Sequence, residues 1–274
     1  DYNAACRKAV MKYTKEWEDL THKIGYWVDM TDPYITYDNR YIETLWWLLK
    51  QFYQKGYLYK GYTIQPYSPA AGTGLSSHEL NHPGSYRDVQ DTTVVAQFKI
   101  KTPKEEMTEW GEAFFLAWTT TPWTLPSNTA LCVGPNIDYV VVKTYNTYTE
   151  KPITVVLAEA LLDSLFHPKA KGLSLDAYEK GSQIVPYEVI KKYKGTDLVG
   201  MEYEQLIPWV NPGEGAFRVI DGDFVSTEDG TGIVHIAPTF GADDAKVAKD
   251  AGVPPLQLID LNGELRPMVD LTGK

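Results

Sequence analysis

Cysteine is scarce in this chain of 274 residues: Cys6 and Cys132 are its only two, and they form no CxxC pair. A thiolate zinc site is therefore not expected, and a reduced cytoplasmic protein is a simpler reading than a disulfide scaffold. Long apolar runs are missing as well. The stretch Ala113 to Trp118 is far too short to cross a bilayer. The opening DYNAACRKAVMKYTKEWEDL lacks the apolar segment of a secretory leader, so no membrane is expected among the partners. The chain starts without Met and stops in mid-pattern at Asp270–Lys274, as an excised piece of a longer protein is expected to do. Positive charge is short: 26 Lys and Arg face 36 Asp and Glu, a net charge of −10. A protein that neutralises phosphates broadly should be basic, which argues against a general nucleic-acid binder. There is no P-loop, dinucleotide glycine fingerprint, zinc-protease helix or GxSxG elbow. Gly72-Thr73-Gly74 is too short to cradle a phosphate.

What remains is an ordinary globular composition, with 43% hydrophobic and 23% charged residues. Residues 1–22 read as one amphipathic helix, because Val10, Tyr13, Trp17 and Leu20 recur at helical steps, and Gly25 ends it. A second helix spans Arg40 to Gln54, with Trp46 and Trp47 expected as packing residues. Short strands are expected at Tyr57–Tyr59 and Tyr62–Ile64, followed by a Pro-, Gly- and Ser-rich loop from Pro66 to Pro83. Strands then dominate, at Thr93–Ile100, Ala113–Trp118, Tyr139–Lys143 and Ile153–Leu157. Helices are expected at Ala158–Phe166 and from about Ala242 to Gly252. The division this suggests is a helical segment, 1–91, before a β-rich domain, 92–274.

Two segments look chemical. In Trp118-Thr119-Thr120-Thr121-Pro122-Trp123-Thr124-Leu125-Pro126-Ser127-Asn128, strand alternation puts Thr119 and Thr121 on one face and Thr120 on the other, and Pro122 stops the ladder. Hydroxyls that donate and accept suit a sugar hydroxyl, an ester oxygen or a water. On composition alone the run also reads as a β-branched strand ending in a turn. The second segment is Gly230-Thr231-Gly232-Ile233-Val234-His235-Ile236-Ala237-Pro238-Thr239-Phe240-Gly241-Ala242-Asp243-Asp244. Ile233–Ile236 reads as a strand, and the two acids open a helix, Asp243 as its N-cap. A second acid is more than a cap needs, although the helix dipole favours it.

Together the two segments resemble the editing domain of isoleucyl-tRNA synthetases, a class I family. The resemblance extends to Gly195-Thr196-Asp197-Leu198-Val199-Gly200, which looks like a strand-turn element of that family. It also covers IGYWVDM, YIETLWWLLK and GLSSHEL, which match the stretch just before the inserted domain. The valine and leucine relatives carry Arg-Pro-Glu after their threonines, whereas this chain has Thr121-Pro122-Trp123, which favours the isoleucine enzyme. The resemblance implies a mixed α/β, β-barrel-like editing domain, preceded by a mainly helical piece of the parent catalytic domain. HIGH-type and KMSKS-type signatures are absent, so no amino-acid activation is expected of this chain, although the full-length enzyme would bind ATP and Mg. No cofactor is implied for editing. Many relatives carry a zinc knuckle, CPxCGT, where this chain has Ser68-Pro69-Ala70-Ala71-Gly72-Thr73. Both sulfurs are lost, at Ser68 and Ala71, so no zinc is expected there.

The activity implied is hydrolysis of valine mischarged onto tRNA(Ile), a second sieve. One methylene is worth only about 1–3 kcal/mol of discrimination, the recognised difficulty of this synthetase. Asp244 is expected to take the α-ammonium, and His235, Trp118, Thr119 and Thr121 to wall a pocket that admits valine. Resemblance puts Thr120, Thr121 and Asn128 among the residues that orient the ribose, the ester and the water, while Trp123 and Thr124 shape the loop or touch substrate. The implied partners are the acceptor end of tRNA(Ile) carrying valine and the remainder of the synthetase, in a cytoplasmic monomer. Two readings compete with this one. The first is a module that holds the acceptor end without useful hydrolysis. The second is the editing domain of a valine or leucine relative.

Overall fold

The computed structural model describes residues 1–61, 63–68, 70–101, 103–104, 107, 111–208 and 210–257. The chain forms two compact units, Asp1–Thr63 and Ile64–Lys274. The expected strand at Tyr62 and the chain end at Asp270–Lys274 fall outside the described residues, wholly or in part.

The first unit is helical: α1 (Tyr2–Val10), α2 (Thr14–Lys23) and α3 (Asn39–Gln54). The single helix expected over 1–22 is broken at Met11–Tyr13. There Lys12 and Thr14 bond three residues back, and the Thr14 hydroxyl donates to the Met11 carbonyl at 2.8 Å, diverting it from the helical ladder. Gly25 ends α2 as expected, with φ +78 and with Tyr26 N–H reaching back to the Thr21 carbonyl. Asp38 caps α3 by accepting from Arg40 N–H at 2.9 Å. Trp46 and Trp47 are not packed as expected: they are 66% and 59% exposed. None of the residues of α1–α3 is buried. Residues 57–59 form no strand.

The second unit is mixed α/β. It opens with a small hairpin, β1 (Tyr67–Ser68) and β2 (Thr73–Gly74), and one helical turn, α4 (Ser77–Leu80). In that hairpin Ser68 still organises the loop, its Oγ accepting from Ala71 N–H at 3.2 Å and its carbonyl from Gly72 N–H at 2.8 Å. The main body contains β3 (Val94–Lys99), β4 (Ala113–Thr119), β5 (Ala130–Val133), β6 (Asp138–Tyr145), β7 (Pro152–Ala158), α5 (Leu162–Leu165), β8 (Glu188–Lys194), α6 (Gly195–Leu198), β9 (Arg218–Asp221), β10 (Ile233–Ile236) and α7 (Ala242–Asp250). One sheet has the order β3-β4-β7-β6-β8, the other β10-β5-β9. The pairs β4–β7 and β5–β9 are parallel and the rest antiparallel. Among the described residues the sheets are open, and no closed barrel forms.

Period-two alternation builds the core. Phe115, Tyr139, Val141 and Val156 face inward with Leu131, Val133 and Ile233 of the other sheet. Their neighbours Leu116, Val140, Val142, Val155 and Leu157 face the opposite way, under Leu162, Leu165 and Phe166. Burial on both faces explains why β6 and β7 read as continuous apolar runs. A third cluster, with Ala130, Cys132, Ile220 and Ile236, lies beneath Val247 and Ala248 of α7. The expected helix at 158–166 is a 3-10 turn, Glu159–Leu161, followed by the one-turn α5. Residues 195–198 form the helical turn α6 rather than a strand. Strands β1, β2, β5, β8 and β9 are additional to those expected. The basic stretch at Lys191–Lys194 lies in β8, an edge strand of the five-stranded sheet, where Lys192 pairs with Glu159 and Lys194 with Asp138.

Candidate functional site

The two chemical segments meet at one cavity of about 480 Å³. Its walls come from the end of β4 and the 3-10 turn Pro122–Ser127, from β10 with the loop before it, and from the start of α7. Gly230-Thr231-Gly232 joins these parts. The Thr231 hydroxyl accepts from Trp118 N–H at 3.3 Å, and its carbonyl accepts from Ala158 N–H at 2.9 Å. Both flanking glycines sit at φ +73, a left-handed conformation that glycine adopts without strain. A Cβ on Gly230 would come within 2.9 Å of the Trp118 ring, and one on Gly232 within 2.3 Å of Ala158 Cβ. The two glycines thus let the chain pass between the sheets and bring β10 against β4.

Along β10, Ile233 packs into the inter-sheet core, while Val234 and Ile236 go with the α7 cluster. Alternation places His235 on the same face as Ile233, beside the threonine turn. A chain of hydroxyls leads to it. Thr119 Oγ1 lies 3.2 Å from Thr121 Oγ1, which is 3.4 Å from Thr124 Oγ1, which is 3.0 Å from His235 Nε2. Thr119 Oγ1 also accepts from Thr121 N–H at 3.0 Å. Burial pushes the His235 pKa down to about 4, so the ring is neutral at pH 7.

Asp244, in the first turn of α7, accepts from Ala237 N–H at 2.8 Å. Its carboxyl pKa is raised from the ordinary value, chiefly through burial; the Ala237 N–H works against that shift. Gly241 has no side chain for a reason: a Cβ there would fall 2.7 Å from the Asp244 carboxyl carbon. Asp243 is not the N-cap expected of it. Gly241 occupies that position with no side-chain cap, and Asp243 is exposed in the first turn.

Of the site residues expected from the sequence, the cavity collects Trp118, Thr119, Thr120, Thr121, Trp123, Thr124, His235 and Asp244. Thr120 is exposed at its wall and Trp123 is 58% exposed, whereas Thr124 is buried. Asn128 is not among the lining residues. It is buried behind the turn, its Nδ2 donating to the Ala130 carbonyl at 2.8 Å and its Oδ1 accepting from Tyr203 O–H at 2.7 Å. Sequence reasoning missed Phe224, Ser226 and Asp229, which complete the wall. The polar run Ser226-Thr227-Glu228-Asp229 just before Gly230 was a signal for Ser226 and Asp229; nothing local marked Phe224. Among the described residues the lining therefore holds two carboxylates, Asp229 and Asp244, a neutral imidazole, several hydroxyls and no Lys or Arg. Such a cavity attracts a cation and offers no charge partner to a phosphate. Among the described residues no cluster of His, Cys, Asp and Glu suits a metal ion, and no helix is long and apolar enough to cross a membrane.

Residues 1–229 match the model of the family described as tRNA synthetases class I (I, L, M and V). The chain is 78% identical over its whole length to an isoleucine--tRNA ligase of Bacteroides fragilis, covering 24% of that protein. It is 72% identical to the isoleucine--tRNA ligase of Porphyromonas gingivalis, with 100% of this chain and 24% of that protein covered. With that of Clostridium tetani it shares 43% identity, over 97% of this chain and 22% of the relative. The chain thus spans about a quarter of the length of the curated relatives it matches. Among solved structures it is similar to the P. knowlesi cytosolic leucyl-tRNA synthetase editing domain. That likeness has a TM-score of 0.43 and 16% identity, over 58% of this chain and 62% of that one.

Proposed function

The chain belongs to the class I tRNA synthetases, and from that premise we propose that residues 92–274 are the editing domain of an isoleucine enzyme. Its reaction is hydrolysis of the ester in valyl-tRNA(Ile), and its partners are that acceptor end and the remainder of the synthetase. Amino-acid activation, with its ATP and Mg, belongs to the rest of that enzyme.

The observation that carries this reading is the lining of the cavity: a half-buried carboxylate, a neutral histidine and a threonine run, with no basic side chain among the described residues. An aminoacyl ester brings one ammonium, one ester and ribose hydroxyls, and each finds a counterpart here. Asp244, fixed by Ala237 N–H, receives the ammonium in a charge-assisted contact. Thr119, Thr120 and Thr121 supply donors and acceptors for the ribose, the ester oxygens and the water. Trp118 and His235 bound the space for the side chain, where an extra methylene clashes. With no Lys or Arg among the described lining residues and a net charge of −10, tRNA binding is weak and specificity resides in the aminoacyl-adenosine end.

The test is deacylation of valyl-tRNA(Ile) against isoleucyl-tRNA(Ile) under single-turnover conditions. The wild-type chain hydrolyses the valyl ester selectively. Asp244→Ala loses roughly ten- to hundredfold, the worth of one hydrogen bond to a charged group, and His235→Ala begins to hydrolyse the isoleucyl ester. Equal rates for wild type and Asp244→Ala remove the carboxylate from the mechanism. Acceptor-end binding with no hydrolysis at high enzyme concentration favours the holding module instead.

A further inference from the structure

The Thr124 hydroxyl turns away from the open part of the cavity. Its Oγ1 lies 2.8 Å from the Thr121 carbonyl oxygen and 3.0 Å from His235 Nε2, a residue 111 positions further along the chain. A threonine hydroxyl has one proton to give, and a carbonyl oxygen can only accept. The shorter contact has the usual O–H···O length and the longer one the usual N–H···O length. The Thr124 proton is therefore committed to Thr121, and Thr124 Oγ1 accepts from Nε2. The Thr121 hydroxyl, at 3.4 Å, supplies no competing acceptor that the carbonyl does not already outweigh. Burial keeps the ring neutral, so it carries a single proton. With that proton on Nε2, Nδ1 is a bare acceptor; it is buried and has no hydrogen-bond partner among the described residues.

We propose that Thr124 is a positioning residue that locks His235 in its Nε2–H tautomer, leaving Nδ1 a buried, proton-free acceptor. Only the consequence for the reaction rests on the reading of the cavity as an aminoacyl-ester site; the tautomer is a property of the free chain. The assignment limits what His235 does. Its Nε2 is spent on Thr124, and its Nδ1 has no proton to give to a leaving oxygen at neutral pH. His235 therefore bounds the cavity as a neutral ring rather than as a general acid, and Thr124 works through that ring alone.

The experiment reads the ring directly. Two-bond proton–nitrogen correlations of the nitrogen-15-labelled chain distinguish protonated from unprotonated ring nitrogens. The His235 set is identified by its loss in His235→Gln. Wild type shows a protonated Nε2 and an unprotonated Nδ1, and Thr124→Ser preserves the pattern. Thr124→Val and Thr124→Ala shift both nitrogens toward a tautomer mixture while the remaining amide spectrum stays dispersed. A wild-type ring with its proton on Nδ1 overturns the proposal whatever the variants do. So does an unchanged ring in a folded Thr124→Val or Thr124→Ala. Hydrolysis measured on the same samples keeps the two ideas apart: the expected ring pattern in a chain that hydrolyses nothing counts against the editing reading alone.

Discussion

Replacing Gly232 with alanine tests the passage between the sheets on which the site depends. The position is at φ +73, where an L side chain costs about 1–2 kcal/mol. The new Cβ would also fall 2.3 Å from Ala158 Cβ and 3.5 Å from Ala158 Cα. Ala158 has no rotamer with which to retreat. It is fully buried at the end of β7, and its N–H is tied to the Thr231 carbonyl. Overpacking of this kind costs about 1–3 kcal/mol more, so Gly232→Ala should lose about 2–5 kcal/mol, a large share of the ~5–15 kcal/mol that holds a domain folded. Urea titration at constant m-value measures the loss. The companion double variant, Gly232→Ala with Ala158→Gly, removes the clash but keeps the backbone strain. It should recover about 1–3 kcal/mol relative to the sum of the single changes. A Gly232→Ala variant within about 0.5 kcal/mol of wild type, or a double variant that is strictly additive, refutes the reasoning.

Protonation of His235 should shape acid stability. Its pKa is near 6.5 in the unfolded chain and about 4 in the folded one, so the unfolded state binds the extra proton between those values and stability rises with pH across that window. The gain by the top of the window is roughly 3 kcal/mol, and denaturant titrations of His235→Gln should show that slope removed. Asp244 contributes with the opposite sign, its raised pKa favouring the folded state in acid, which is why the difference between the two proteins is the quantity to read. Asn128→Ala strands the buried Tyr203 hydroxyl and should cost about 1–3 kcal/mol in thermal unfolding; an unchanged melting temperature contradicts that role. At the Ser68–Ala71 hairpin, elemental analysis of the purified chain should find no stoichiometric zinc, and a metal retained at one equivalent contradicts the reading of the lost sulfurs.

The parts of this molecule legible in its sequence are those fixed by local chemistry. The apolar runs Tyr139–Lys143 and Ile153–Leu157, the turn at Pro122 and the helix opening at Ala242 all depend on neighbours a few residues away. The break at Met11–Tyr13 was invisible because no Gly or Pro marks it; one threonine hydroxyl diverts the ladder. Strands β5 and β9 are four residues each and carry too short a pattern to stand out. Their pairing with each other, and that of β5 with β10, is set by tertiary contacts alone. The site divides the same way. Its residue types could be read from the two motifs, but the inward turn of Thr124 and the burial of Asn128 beneath Tyr203 depend on partners 111 and 75 positions away. No local pattern carries that information.

The strand order also sets a timetable for synthesis. The central strand β5 pairs with β9 and β10 and with no strand that precedes it in the chain. The threonine turn must therefore wait for His235, 111 residues behind it. At the usual ribosomal pace of about 5–20 residues per second, that delay is roughly 5 to 20 s. During that interval the β6–β7 hairpin can close and dock while half of the cavity wall does not yet exist. The site is thus completed late and as a unit, and a nascent chain stalled before β10 holds the threonines but not the cavity.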